Sequence, residues 1–311
     1  MEWIFLGTGA GVPSKERQVS SAALRFNESG GDTWLFDCGE ATQHQILNSS
    51  VKLTRISHIL ISHLHGDHIF GLPGLLGSRS FQCEDSPLVL LGPPGIRSFV
   101  ESALSISQTH LRYTLEIKEW KNGDTFNWKG YQVEVTELDH VILSAGFRIT
   151  EPDQPGSLLT DRLREAGVPA GPHLKRLKNG EDIRLEDGRL LRSQDFCGPR
   201  IPGRRVVYCG DTRPARETVE LARNADMLIH EATFSKEKES HALRFGHSTA
   251  AQAAELARKA EVKQLILNHI SSRYSLKEGD RLLEEAREIF PRTEMACDFS
   301  VFPVSRGTHP S

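Results

Sequence analysis

Little in this 311-residue chain points to an extracellular, membrane or fibrous protein. Its five cysteines, Cys38, Cys83, Cys197, Cys209 and Cys297, are scattered, odd in number and form no Cys-x-x-Cys pair. That excludes a disulfide framework and a zinc knuckle, and implies reduced thiols and a cytoplasmic address. No apolar run approaches membrane-spanning length, so no transmembrane helix is expected. Met1-Glu2-Trp3-Ile4-Phe5-Leu6-Gly7 carries an acid at position 2 and breaks at glycine after four apolar residues, the pattern of an opening strand rather than a signal peptide. Neither sign of charge dominates: 38 Lys and Arg face 41 Asp and Glu, a net −3. A nucleic-acid partner would therefore have to meet a local basic surface. Internal repeats and low-complexity tracts are also missing. What remains is a chain with 38% hydrophobic residues, long enough to bury a large core as one big α/β domain or two smaller ones.

Short apolar runs alternate with helical stretches. Trp3–Leu6, Ala22–Phe26, Thr33–Phe36, Ile56–Ile61, Leu88–Leu91, Gln132–Leu138, Val206–Cys209, Met227–Ile229 and Gln264–Leu267 are expected as strands. Helices are expected at Glu40–Leu47, Gly71–Gly77, Gly95–Ser105, Arg216–Arg223, Thr249–Lys259 and Lys277–Ile289. Such interleaving implies an α/β architecture. From Glu151 to about Arg205 prolines and glycines crowd the chain, with a basic Lys175-Arg176-Leu177-Lys178 patch and a hairpin expected over Asp182–Leu191, turning at Asp187-Gly188. Residues 152–204 thus read as an insertion, either a solvated excursion or an arm reaching for a large substrate.

The densest chemistry is His63-Leu64-His65-Gly66-Asp67-His68, three imidazoles and a carboxylate in six residues. Zinc favours imidazole nitrogen, and a carboxylate adds charge to hold a second cation nearby. His140, Asp211 and His269, like His63, each fall just past an expected strand. Ligand sites in α/β sheets gather there, where a rigid scaffold presents loop side chains. As a set, His63, His65 and His140 would hold one metal, Asp67, His68 and His269 the other, with Asp211 bridging. Two such cations lower the pKa of a bridging water and make hydroxide available for phosphodiester cleavage. Asp67 could accept the water's proton while it holds a metal. The leaving oxygen needs a proton donor, and His247 in Gly246-His247-Ser248-Thr249 is the candidate, with Glu231 in His230-Glu231-Ala232-Thr233 placed to orient it.

Blander readings compete at each position. A lone histidine after a strand is more often a hydrogen-bonded structural residue, His247 could neighbour a helix cap, and Glu231 could pair with a loop amide. His44, His58, His110 and His309 are assigned to solvent, packing, loop and tail. Gly7-Thr8-Gly9-Ala10-Gly11 looks like a dinucleotide fingerprint, but Pro13 and Lys15-Glu16-Arg17 interrupt any following helix. Its amides and basic side chains could instead touch phosphate.

These residues resemble the metallo-β-lactamase superfamily, and within it the ribonuclease Z family of tRNA 3′-processing endonucleases. The six-residue signature implicates only the superfamily. The narrower resemblance rests on Phe5 to Pro13, Leu35 to Gln43, Gly71 to Arg79, Gly210-Asp211-Thr212-Arg213, His230 to Phe234, His247-Ser248-Thr249 and His269 to Tyr274, and extends to about Val304. It implies an αββα sandwich with an inserted flexible exosite arm around Pro155 to Pro199, two Zn²⁺ per subunit (or Mn²⁺ or another divalent ion), and a homodimer in which one subunit's arm serves the other's active site. The implied substrate is a tRNA precursor, cut after the discriminator nucleotide to leave a tRNA 3′-hydroxyl and a trailer 5′-phosphate. RNA contacts are expected at Lys15, Arg17, Arg273, Lys175, Arg176 and Lys178; Gln18 stands where the family usually has asparagine. The alternative is a small-molecule phosphodiesterase or arylsulfatase-like hydrolase of the same fold, for which the arm and the Lys15/Arg17 loop would be unnecessary.

Overall fold

The computed structural model describes residues 1–185 and 187–306; His309 lies outside them. Contacts divide the chain into two compact units, one of Met1–Ile149 with Arg205–Ser305, the other of Thr150–Arg204 with the chain from Arg306. Among the described residues no helix is long and apolar enough to cross a membrane. All five cysteines are unpaired.

Side-chain alternation along the strands builds the first unit. Within Glu2–Gly7, Trp3 and Phe5 enter one buried cluster while Ile4 and Leu6 enter another. Trp34 and Phe36 oppose Leu35 in the same way, and Val206 and Tyr208 oppose Val207 and Cys209. Because both faces of these strands are covered, a period of two still reads as a nearly continuous apolar run.

Two seven-stranded sheets result. One runs, in spatial order, Val301–Pro303, Glu2–Gly7, Ser21–Phe26, Asp32–Phe36, Ile56–Leu60, Leu88–Gly92, Leu115–Glu119. The other runs Thr293–Met295, Leu265–Asn268, Met227–Glu231, Arg205–Cys209, Ser144–Thr150, Tyr131–Leu138, Thr125–Trp128. Their inner faces share an aromatic-rich core of Trp3, Phe36, Phe147 and Tyr208, among others. Helices Leu72–Ser80 and Ile96–Ile106 pack the outer face of the first sheet, and Ala250–Lys259 and Leu276–Arg287 that of the second. A capping box between Thr249 and Gln252 fixes the start of Ala250–Lys259. The unit is an αββα sandwich.

The expected elements form close to their expected bounds. Leu115–Glu119, Thr125–Trp128 and Ser144–Thr150 were not expected. The first two are half exposed and carry charged or polar residues, so their apolar signal is weak, and Gly146 interrupts the third. In the second unit the hairpin forms as Ile183–Arg184 against Leu190–Leu191. The loop-rich reading of this segment is incomplete. Short helices Thr160–Glu165, His173–Lys178 and Ser193–Phe196 help close a small core of Leu163, Leu177, Ile183 and Leu191. Buried Glu151 accepts bonds from Arg204 at 2.8 Å and Arg306 at 2.6 Å.

Candidate metal centre

The centres of both sheets are parallel, Trp34 pairing with His58 and Val89 following, and Val206 pairing with Met227. Parallel strands end on a common edge. Asp37 follows Asp32–Phe36, His63 follows Ile56–Leu60, Asp211 follows Arg205–Cys209, Glu231 closes Met227–Glu231 and His269 follows Leu265–Asn268. Asp37 and His269 sit at φ +56° and +57°, a conformation side chains adopt at a cost and retain where the surroundings fix it. Gly210 is required before Asp211, since a Cβ there would lie 2.5 Å from the Ser62 Cβ.

The structure brings all seven expected ligands together in two groups. In the first, His65 Nδ1 lies 3.1 Å from His63 Nε2 and 3.3 Å from His140 Nε2. In the second, His269 Nε2 lies 3.3 Å from His68 Nε2 and 3.4 Å from Asp67 Oδ2. Zinc–nitrogen bonds of about 2.0–2.1 Å in a tetrahedron set neighbouring donors about 3.3–3.4 Å apart, so both groups have the spacing of a single ion. Asp211 faces the two together, Oδ2 at 3.7 Å from His63 Nε2 and Oδ1 at 3.4 Å from His269 Nε2. A bridging carboxylate needs that arrangement.

The rings are held with their lone pairs turned inward. His140 Nδ1 donates to the Gly246 carbonyl at 2.7 Å. That carbonyl is in place because Gly246 adopts φ +83°, where a Cβ would strike His140 Nδ1 at 2.7 Å. His68 Nδ1 donates to Asp37 Oδ2 at 2.8 Å. The Ser62 hydroxyl donates to the same oxygen at 2.9 Å and stands 3.0 Å from His63 Nδ1, placed to accept its proton. His269 Nδ1 meets Thr233 Oγ1 at 2.9 Å, whose proton goes to Glu231 Oε2 at 2.6 Å. Such partners fix tautomer and orientation for metal binding. Nothing in the sequence marks Ser62 or Thr233 for such a role, and Asp37 only by its position, a carboxylate just past a strand like the candidate ligands.

Electrostatics point the same way. Burial, reinforced by its imidazole neighbours, holds His63 well below its ordinary pKa, and burial lowers His140 too. Burial also opposes charge on His68, but Asp211, Asp37 and Asp67 outweigh it and raise this imidazole to about 10. Three carboxylates around one ring make a field that divalent cations would neutralise. The donor set therefore fits metal.

His247 stands beside this cluster. Its Nδ1 donates to Glu231 Oε1 at 2.9 Å, leaving Nε2 as the ring's other nitrogen. Buried Glu231 also accepts from the Thr212 amide at 3.0 Å. Burial lowers the His247 pKa, yet Glu231, then Asp211 and Asp67, raise it to about 9. His247 could also join Asp211 and His269 around an ion, since their donor atoms converge.

One expected RNA contact is corrected. Arg17 is 4% exposed and its Nη1 donates to Thr8 Oγ1 and the Ala296 carbonyl, both at 2.6 Å, so it pins the N-terminal loop from within. The loop's Gly11 amide is likewise engaged, donating to Asp67 Oδ2 at 2.8 Å rather than standing open for phosphate. Lys15 is exposed, and exposed Arg273 lines a cavity of about 340 Å³ shared with Asp67, Asp211, His247 and His269. Lys175, Arg176 and Lys178 are exposed on one helix of the second unit, where Arg176 pairs with Glu181 at 2.8 Å. His58 is buried against Trp34 and Trp128, while His44 and His110 are exposed.

Stacked sheets, outer helices and a histidine–aspartate cluster at their shared rim define a metallo-β-lactamase-fold protein. The β-lactamase superfamily domain model matches residues 178–270, and a model for the anti-Pycsar protein Apyc1 matches residues 1–161. The fold is also that of YhfI from Bacillus subtilis, at TM-score 0.69 and 17% identity over 97% of this chain and 98% of that one. Narrower likenesses follow. Ribonuclease Z of Bacillus cereus (strain AH187) is 55% identical over 307 residues, 98% of this chain and 100% of that one. Human tRNase Z, short form, superposes at TM-score 0.70 with 29% identity, covering 98% and 100%. The chain belongs to the ribonuclease Z family. It is accordingly an enzyme, a phosphodiester hydrolase of the endoribonuclease class.

Proposed function

We propose that this protein removes 3′ trailers from tRNA precursors, cutting after the discriminator nucleotide to leave a tRNA 3′-hydroxyl and a trailer 5′-phosphate. The observation that carries it is the pair of donor groups joined by Asp211, in a chain 55% identical to ribonuclease Z over nearly its whole length. His63, His65 and His140 would hold one divalent ion, Asp67, His68 and His269 the second, and Asp211 both; the nitrogen-rich set favours zinc, with manganese the alternative. Bound there, two such ions supply Lewis acidity and an acidified water.

The chain's own groups do the rest. Asp67, its Oδ2 steadied by the Gly11 amide, accepts a proton at the attacking side. His247, charged through its bond to Glu231, holds a proton at Nε2 for the departing 3′-oxygen. Lys15 and Arg273 meet phosphates near the centre. Lys175, Arg176 and Lys178 in residues 152–204 grip the body of the tRNA without reading its sequence, as expected for recognition of a folded RNA by backbone and shape. The family resemblance supports a cytoplasmic homodimer in which one subunit's arm serves the other's site.

The test uses a trailer-bearing tRNA precursor and bis(p-nitrophenyl) phosphate, with the whole protein and with residues 155–199 deleted. Loss of precursor cleavage with retained ester hydrolysis is the expected result. Equal loss of both, or no precursor cleavage by the whole protein, would favour a small-molecule hydrolase. Sedimentation of the whole protein checks the dimer.

A further inference from the structure

The cavity lined by the candidate ligands Asp67, Asp211 and His269 has two unlike walls. Arg273 and Ser272 lie among the polar lining, whereas Phe234, His241 and Phe245 form an aromatic file. The file is continuous. Phe234 meets the His247 ring edge-on at 6.0 Å, His241 meets Phe234 at 5.2 Å, and Phe245 lies 4.6 Å from His241. Its outer member is open: Phe245 is 44% exposed, although a phenylalanine serving only to fill a core would be covered. It is nevertheless held firmly. Phe245 ends the helix Glu239–Phe245, one turn after His241, and the next residue is the left-handed Gly246 whose carbonyl fixes His140.

From this geometry we propose that Phe245, backed by His241 and Phe234, is a stacking platform for the base of the nucleotide whose 3′-oxygen leaves, the last nucleotide of the tRNA. The proposal rests on the ribonuclease reading above and adds to it which base is gripped and by what. His247 delivers to the departing 3′-oxygen, so that oxygen and its ribose lie on the His247 side of the phosphorus. The aromatic file starts at His247 and runs outward, and it is the surface that ribose's base meets. The first trailer nucleotide hangs from a different oxygen of the same phosphorus and is not directed there by His247. At about 340 Å³ the cavity is at the small end of ligand sites, suited to one nucleotide rather than a stretch of them. Every base has a π face, so a stacking platform accepts any base at this position. An enzyme that processes tRNAs differing at their last nucleotide needs that tolerance.

The experiment compares kcat/KM on three precursors: intact, abasic at the last tRNA position, and abasic at the first trailer position. Wild type, Phe245→Leu and Phe245→Trp are each assayed, with a melting curve to check folding. Wild type should lose roughly five- to a hundredfold on the first abasic substrate, the range of base–aromatic stacking, and keep its rate on the second. Phe245→Leu should lose a similar factor on the intact precursor and nothing further when the last tRNA base is missing, while Phe245→Trp should retain the rate. Losses for Phe245→Leu that are equal on intact and tRNA-abasic substrates would overturn the proposal, as would coupling to the trailer base instead. Failure of wild type to cut the intact precursor would remove the ribonuclease reading itself, and the platform with it.

Discussion

On the first sheet's side of the centre, Asp37 bonds His68 directly and reaches His63 through the Ser62 hydroxyl. On the second sheet's side, Glu231 bonds His247 directly and reaches His269 through the Thr233 hydroxyl. Each half thus uses one buried carboxylate, one imidazole in contact and a second through a relay. The difference lies in what the direct partner does. Asp37 serves two proposed ligands, whereas Glu231 serves one proposed ligand and the proposed proton donor. In the proposed mechanism the same device would support metal binding on one side and proton transfer on the other. Among the described residues Asp211 is the carboxylate that faces both donor groups, and substitutions can separate the two proposed roles.

The largest effect is expected where the halves join. Asp211→Ala should weaken both metal equivalents and lower cleavage by more than the roughly 10–100-fold typical of a substituted outer partner. Elemental analysis and rate are measured together; a variant retaining two tightly held ions would show that Asp211 bridges nothing. Next comes His247→Ala, expected to keep its metal and lose about two to four orders of magnitude in rate, the worth of a general acid. Loss of metal in that variant would instead place His247 among the ligands with Asp211 and His269.

The outer carboxylates sharpen the comparison further. Asp37→Asn should act on metal affinity, by roughly 10–100-fold, and leave the alkaline limb of the pH–rate profile in place. Glu231→Gln should move that limb. In its proposed role His247 would act in its protonated form, and its pKa is raised chiefly by Glu231 against the pull of burial. Rate therefore falls as pH rises through the His247 pKa, and removing the Glu231 charge brings the fall to lower pH. A limb unmoved in Glu231→Gln, or moved equally in Asp37→Asn, would erase the distinction between the halves.

The candidate ligands that the structure brings together were legible because their chemistry is concentrated in the sequence. Six residues hold three imidazoles and a carboxylate, and each distant ligand follows an apolar run. Glu231 was legible through its neighbours, but Ser62 and Thr233 were not, because a hydroxyl's partner depends on which strand lies beside it. Arg17 shows the limit on charge. A guanidinium in a loop reads as solvent-facing, and only the approach of Thr8 and Ala296, the latter far along the chain, turns it inward. Strands with two buried faces were plain, whereas Thr125–Trp128 alternates polar and half-buried positions at a sheet edge and gave no run to read. The insertion's core escaped notice for a related reason. It gathers four aliphatic side chains from separate short elements.

The smallest expected effects belong to the relays, and they test whether the two halves are equivalent. Ser62→Ala and Thr233→Val each remove a hydroxyl that accepts from an imidazole and donates to a carboxylate. In both, a buried Nδ1–H loses its acceptor, a cost of about 1–3 kcal/mol, while the direct bonds to His68 and His247 remain. Ser62→Ala frees only His63, whose ring is also held in the three-imidazole group, and should weaken metal binding about tenfold with no change in pH profile. Thr233→Val frees His269 but leaves Glu231 with its bonds from the Thr212 and Thr233 amides and from His247. It too should act on the metal and spare the alkaline limb. If Thr233→Val shifts the limb as Glu231→Gln does, the hydroxyl is part of the acid's own support. Metal binding and proton delivery would then be coupled on that side.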